Sequence, residues 1–182
     1  MKIVVAVTGA SGFPLAIGLL KALKGNEVHL VVSEHAWKVL EYEDGGSKEE
    51  VLALATKVYN PSEIHTSICS GSFPVDAMVV VPCSMNTLGH IANGIEHNAI
   101  TRAAGVNLKQ ERKVILVVRD TPFSLPVLRN MVLAKEAGCT ILPPMLCYYT
   151  KPKTVEDMTN HVTGKILDML GIGHELYEKW EK

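Results

Sequence analysis

The chain has 182 residues, 47% of them hydrophobic and 20% charged, an ordinary globular composition that excludes disordered and fibrous classes. Eighteen Lys and Arg stand against nineteen Asp and Glu, for a net charge of −1, and aromatics make up only 5%, so neither a nucleic-acid surface nor an anionic-membrane surface is indicated. The length suits one α/β domain over residues 1–182, and no apolar stretch is long enough to span a bilayer.

Residues 2–8 read as an almost continuous apolar strand, the pattern of a strand covered on both faces. A glycine turn, Thr8-Gly9-Ala10-Ser11-Gly12, leads into a helix over 11–24 with Leu15, Ile17, Leu19, Leu20 and Leu23 apolar, stopped by Gly25-Asn26. A second strand at 28–32 precedes a helix from Ser33 that sets Ala36, Val39 and Leu40 inward and ends before Gly45-Gly46. A polar helix near 47–59 and a linker at Pro61 follow. The third buried strand, 77–81, runs into Pro82-Cys83-Ser84, then come helices near 85–93 and 98–109 and a fourth strand at 113–119. Ser124 opens a helix ending at Gly138, and 140–142 is a short fifth strand. A C-terminal helical extension begins near 154, where Thr154 and Asp157 form a capping box and Val155, Met158, Val162, Ile166 and Met169 mark one stripe. Strand–helix alternation at this spacing predicts right-handed βαβ units and a doubly wound parallel sheet, Rossmann-like or flavodoxin-like, flanked by helices. Ligands of such sheets sit beyond the carboxyl ends of the strands.

The residues after each strand therefore carry the functional information. Gly9 and Gly12 let backbone N–H groups close on a phosphate at a helix start, or simply make a tight turn with Ser11 as N-cap. The spacing departs from the dinucleotide pattern GxGxxG. Ser33 reads as an N-cap. Ser84, Met85, Asn86 and Thr87 offer two hydroxyls, an amide and a fresh helix start, more than capping needs, which favours a ligand. Cys83 beside them reads as a packed thiol. Arg119-Asp120 emerges from an apolar strand end: Arg119 can grip an anion and Asp120 can move a proton, or the two can form a salt bridge that ties the loop. Pro143-Pro144 can bring Tyr149 over a pocket. Lys165, three residues after Val162, falls on an apolar stripe, where it either snorkels to the surface or meets a phosphate at a neighbouring subunit or pocket.

Cys69, Cys83, Cys139 and Cys147 include no CxxC pair and read as reduced thiols, there is no HExxH, and the N-terminal apolar run is too short for a secretory h-region. A cytoplasmic protein is expected.

Taken in order, Thr8-Gly9-Ala10-Ser11-Gly12, Pro82-Cys83-Ser84-Met85-Asn86-Thr87-Leu88, Ile100-Thr101-Arg102-Ala103-Ala104, Leu108-Lys109, Val118-Arg119-Asp120-Thr121-Pro122, Arg129-Asn130-Met131 and Ile141-Leu142-Pro143-Pro144 strongly resemble the UbiX-type flavin prenyltransferases, from residue 1 to Lys179-Trp180. That family joins a dimethylallyl group to reduced FMN, and the prenylated FMN serves UbiD-type decarboxylases. The resemblance implies FMN binding by Gly9, Ala10, Ser11, Ser33, Ser84, Met85, Asn86, Thr87 and Arg119. It implies prenyl-phosphate binding by Arg102, Lys109, Tyr149 and Lys165, proton chemistry at Asp120, Glu43 and Ser11, and a closed homo-oligomer, usually a dodecamer. No metal site is expected: a monophosphate leaving group can be stabilised by Lys and Arg, and no DDxxD-like cluster is present.

Three positions depart from the family pattern. Asp120 stands for the usual Glu, Cys147-Tyr148-Tyr149 for Ala-Phe-Tyr, and Gly105 for an aspartate common after Arg-Ala-Ala. Two other readings remain open. One is an FMN-dependent cysteine decarboxylase of similar fold, although its PxMNxxMW pattern is missing here; the other is a non-catalytic FMN-binding protein.

Overall fold

The computed structural model describes residues 1–43 and 46–180; the stop expected at Gly45 lies outside the described residues. One parallel sheet carries the strands β1 (Lys2–Val7), β2 (Glu27–Val32), β3 (Lys57–Tyr59), β4 (Ala77–Cys83), β5 (Lys113–Val118) and β6 (Thr140–Ile141), in the order β3-β2-β1-β4-β5-β6. This is the doubly wound Rossmann-like order, and the chain reverses its winding direction between β1 and β4, the place where ligands of such sheets bind.

Alternation along the strands splits the core in two. Ile3, Val5 and Val7 of β1 point to one face with Phe13, Leu19 and Leu20 of α1 (Phe13–Ala22) and Ile166 and Leu167 of α7 (Val155–Leu170). Val4 and Ala6 point to the other, against Leu88 of α4 (Met85–Ala92), Ala103 and Ala104 of α5 (Ala99–Lys109) and Ala134 of α6 (Leu125–Glu136). β1, β4 and β5 are apolar throughout because both faces are covered.

Four sequence expectations are corrected. The polar helix near 47–59 is only α3 (Lys48–Leu52); residues 57–59 form the edge strand β3, which pairs with β2 and buries Tyr59 alone. Pro82 and Cys83 belong to β4 rather than to the turn after it. α1 begins at Phe13 behind Gly12, whose φ of 111° favours glycine, and Ser11 does not cap it. The α7 capping box of Thr154 and Asp157 is present, and Val162 and Ile166 of the expected stripe are buried, but its ends Val155 (80% exposed) and Met169 face solvent, and the covered side extends to His161, Thr163 and Gly164. Gly18 of α1 meets α7 at Thr159 and Thr163, where a Cβ would stand 3.1 Å from Thr163 Oγ1.

Candidate functional site

The carboxyl ends of β1 and β4 are tied together by Thr8, a residue the sequence reading passed over. Its buried hydroxyl donates to the Pro82 carbonyl (2.8 Å) and accepts from the Ser84 N–H (2.8 Å), while its own N–H donates to the same carbonyl (3.2 Å). A buried threonine at a strand end between two motifs was the available signal.

Around this knot lies a shelf of helix N-termini. α2 (Glu34–Tyr42) starts at Ser33, whose Oγ accepts from Ala36 N (3.2 Å), and α4 starts at Ser84, whose Oγ accepts from Thr87 N (3.3 Å) and donates to Thr87 Oγ1 (3.0 Å). The positive ends of both helices face a ligand at the switch point. Gly9 lets α2 approach, because a Cβ there would sit 2.7 Å from His35 Cβ. Arg119 reaches back from the end of β5 to the first loop, its Nε donating to the Ser11 carbonyl at 3.2 Å, which leaves its other N–H groups as further donors.

The N-terminus of α1 is already occupied. Glu43, which follows α2, accepts from Gly12 N (2.9 Å to Oε1, 3.1 Å to Oε2) and from Phe13 N (2.8 Å to Oε2). The acidic residue assigned to proton chemistry therefore caps a helix 30 residues upstream, and it places negative charge where a phosphate on α1 would sit. An anion on this shelf belongs instead at the starts of α2 and α4. The Arg119–Asp120 salt bridge is not formed; Asp120 is exposed and accepts from Thr121 N at 2.9 Å. Cys83 is a packed thiol whose pKa burial pushes far up.

The four prenyl-phosphate residues do not gather in one chain. α5 runs antiparallel to the strands, so Arg102 in its first turn lies near the shelf, whereas Lys109 in its last turn lies toward the opposite rim. Seven residues of helix separate them by about 10 Å along the axis. Tyr149 and Lys165 form a third location with the C-terminal tail. Tyr149 sets its ring edge-on to His161 (5.9 Å) and Trp180 (5.3 Å). Lys165 is about half exposed, off the apolar stripe, and lies 3.7 Å from Asp168 Oδ2.

Asp168 is the hub of that tail and was not anticipated. It receives Tyr177 Oη, His174 Nε2 (3.1 Å) and Lys179 Nζ (3.3 Å). Gly164 makes room, since a Cβ there would strike the Tyr177 ring at 2.6 Å. Burial raises the Asp168 pKa, but the bonds from Tyr177, Lys179 and His174 and the Lys179 charge outweigh it and hold the carboxyl at about 2. The folded pKa lies below the ordinary carboxylate value, so this stabilisation is full above about pH 4 and is lost as pH falls from about 4 toward 2. Trp180 fluorescence is expected to report tail release across that window, and Asp168→Asn is expected to abolish the transition by releasing the tail at neutral pH.

FMN fits this shelf on chemistry: two helix starts, the hydroxyls of Ser33, Ser84 and Thr87, and the Arg119 guanidinium suit a phosphate joined to a polar heterocycle. Among the described residues, no group of three or more His, Cys, Asp or Glu could hold a metal ion, and no helix is long and apolar enough to cross a membrane. Replacing Ser84 and Thr87 together by alanine is expected to weaken FMN binding by about 1–3 kcal/mol. Loss of the α4 cap adds a stability cost of about 1 kcal/mol, visible as a lowered Tm. Unchanged FMN affinity in the folded double variant would place the flavin elsewhere.

Comparison with known proteins agrees with this geometry. The Flavoprotein family profile matches residues 1–167. The flavin prenyltransferase UbiX of Thermoplasma acidophilum is 44% identical over 180 residues, covering 99% of this chain and all of that one. A dodecameric FMN-dependent UbiX-like decarboxylase from Escherichia coli O157:H7 superposes with a TM-score of 0.97 at 41% identity over the whole of both chains. AnUbiX (PadA1), solved with FMN and dimethylallyl pyrophosphate, gives a TM-score of 0.97 at 40% identity over 100% of this chain and 97% of its own. The FMN-dependent cysteine decarboxylase SpaF shares only the fold, at 17% identity and a TM-score of 0.64 over 79% of this chain and 83% of its own. A full-length match at this identity, on a chain whose post-strand motifs converge at the sheet's switch point, means that the chain belongs to the flavoprotein family and, within it, to the UbiX-type flavin prenyltransferases.

Proposed function

We propose that this chain transfers a dimethylallyl group from dimethylallyl monophosphate to reduced FMN without a metal ion, and that the prenylated FMN goes to a UbiD-type decarboxylase. The observation that carries the reading is the shelf itself, where Ser33, Ser84, Thr87 and Arg119 surround the switch point and the α1 start is closed by Glu43. Reduced FMN, when bound, supplies the nucleophilic nitrogen. The chain's residues bind, orient and move protons. Ser33 and the α4 start hold the flavin phosphate, with Gly9, Ala10, Met85 and Asn86 forming the shelf floor and rim. Arg119, fixed by the Ser11 carbonyl, covers the flavin side. Arg102, Lys109, Lys165 and Tyr149 stabilise the departing phosphate.

The shelf of one chain is open: Ser11, Asn86 and Asp120 are all exposed. An allylic cation needs a water-poor chamber, so we place the working site between subunits of a homo-oligomer, a dodecamer as in the Escherichia coli relative. Exposed Leu125, Leu128 and Val132 on α6 supply an apolar face for such contacts. Dispersal of the phosphate residues over three parts of one chain supports the same assembly. The free thiols of Cys69, Cys83, Cys139 and Cys147 suit a reducing compartment, and we place the enzyme in the cytoplasm.

Asp120, exposed next to Arg119 at the end of β5, is assigned the proton transfer of the ring-closing step, together with Ser11 and Glu43. Incubation with reduced FMN and either dimethylallyl monophosphate or the diphosphate, followed by mass analysis of the flavin, tests the whole reading. The wild-type protein is expected to add one prenyl unit. Asp120→Asn is expected to keep FMN and slow product formation by about 10²–10⁴-fold, the usual worth of a positioned acid or base. Flavin retained with no product from the wild-type protein would mean a binding protein. Wild-type rates from Asp120→Asn would remove Asp120 from the chemistry.

A further inference from the structure

Glu96 lies in the loop between α4 and α5, outside every motif considered so far, yet its carboxylate is paired with Arg102 Nη1. Gly105, one turn further along α5, makes the pairing possible. A Cβ at Gly105 would press into the Glu96 carboxylate, 3.3 Å from Cδ and 3.5 Å from Cγ. The side chain of Glu96 thus packs over Gly105, with its carboxylate against Arg102. Stability is a weak reason for this arrangement, because both side chains are about one-third exposed and such pairs contribute little.

We propose that Glu96 is the positioning residue for Arg102: by holding Nη1 it fixes the guanidinium and leaves Nη2 and Nε aimed outward for the prenyl phosphate. This rests on the reading of Arg102 as a phosphate ligand. An arginine carries five donors in a rigid fork, and one carboxylate on one edge leaves the other edge free for a second oxyanion. An untethered arginine must lose its rotamer freedom when it binds, so the tether appears in substrate affinity more than in the rate of bond breaking.

The test uses the FMN-loaded oligomer. Glu96→Gln is expected to raise KM for dimethylallyl monophosphate about tenfold with kcat within about twofold, the loss of one pre-ordered side chain. FMN affinity and Tm are expected to stay at wild-type values. Calorimetric titration of dimethylallyl monophosphate into the oxidised, FMN-loaded protein, where no transfer takes place, is expected to show the same weakening. The double variant Glu96→Ala with Gly105→Asp is expected to recover most of the affinity, because position 105 is i+3 from Arg102 and an acid there reaches the same guanidinium. Wild-type KM in Glu96→Gln, or a double variant no better than Glu96→Ala alone, overturns the proposal. Wild-type KM in Arg102→Ala overturns instead the reading of Arg102 on which it rests.

Discussion

Lys109→Ala is expected to lower kcat by about 10²–10³-fold while leaving FMN affinity within about twofold. Removing one preorganised donor from a developing oxyanion typically costs that much, and the shelf that holds FMN lies at the other end of α5. Lys109 is in the last turn of α5 and Arg102 in its first, about 10 Å apart along the axis. Under the proposed intersubunit site, Lys109 serves a neighbouring subunit's flavin. Lys109→Ala subunits co-assembled with Ser84→Ala, Thr87→Ala subunits, at an FMN concentration that leaves the weakened sites of the latter empty, are therefore expected to regain activity, since some interfaces then combine an intact shelf with an intact lysine. Mixed oligomers as inactive as either parent, with assembly verified by sedimentation, would restrict Lys109 to its own chain.

Glu43→Gln is expected to cost about 1–2 kcal/mol of stability and at least 100-fold in turnover measured well below its Tm. Its carboxylate accepts three backbone N–H bonds, from Gly12 and Phe13, which use three of its roughly four acceptor positions. The stability loss follows from weaker capping: an amide offers one accepting oxygen and turns its own donors toward N–H groups. The turnover loss follows from the proposed role of Glu43 in proton transfer, which the amide of Gln cannot perform. Glu43→Gln with lowered Tm but wild-type product formation at low temperature would leave Glu43 a cap and nothing more. Stronger inorganic phosphate binding by this variant would show that the wild-type carboxylate keeps anions off α1.

The parts legible in the sequence are those where local pattern and tertiary placement agree. β1, β4 and β5 announce themselves as apolar runs, and Ser33, Ser84 and the box of Thr154 with Asp157 cap their helices as their spacing predicts. β3 was hidden because an edge strand of three residues with Lys57 and Val58 exposed has no buried period to read. The α1 cap was hidden for a different reason: its donor groups are local but its acceptor is not, so Ser11 was the only capping candidate a short window could offer. The α7 stripe was read correctly at Val162 and Ile166 but not at its ends, and the burial of Thr163 and Gly164 was hidden because it comes from close packing with Gly18 and the tail ring of Tyr177. The phosphate residues were readable as residues but not as a constellation, since one chain separates them.

The closure of α1 by Glu43 also bears on how the chain is made. Synthesis proceeds at about 5–20 residues per second, so the 30 residues between Phe13 and its acceptor take about 2–6 s to follow. Through that interval α1 has its apolar face and its β1 partner but two unsatisfied N–H groups at its start. Water can satisfy those groups until then, so the cap is completed only once β1-α1-β2-α2 and the Glu43 that follows α2 are in place. Destabilising α2 is then expected to delay protection of the Gly12 and Phe13 amides in pulsed hydrogen exchange, although neither lies in α2.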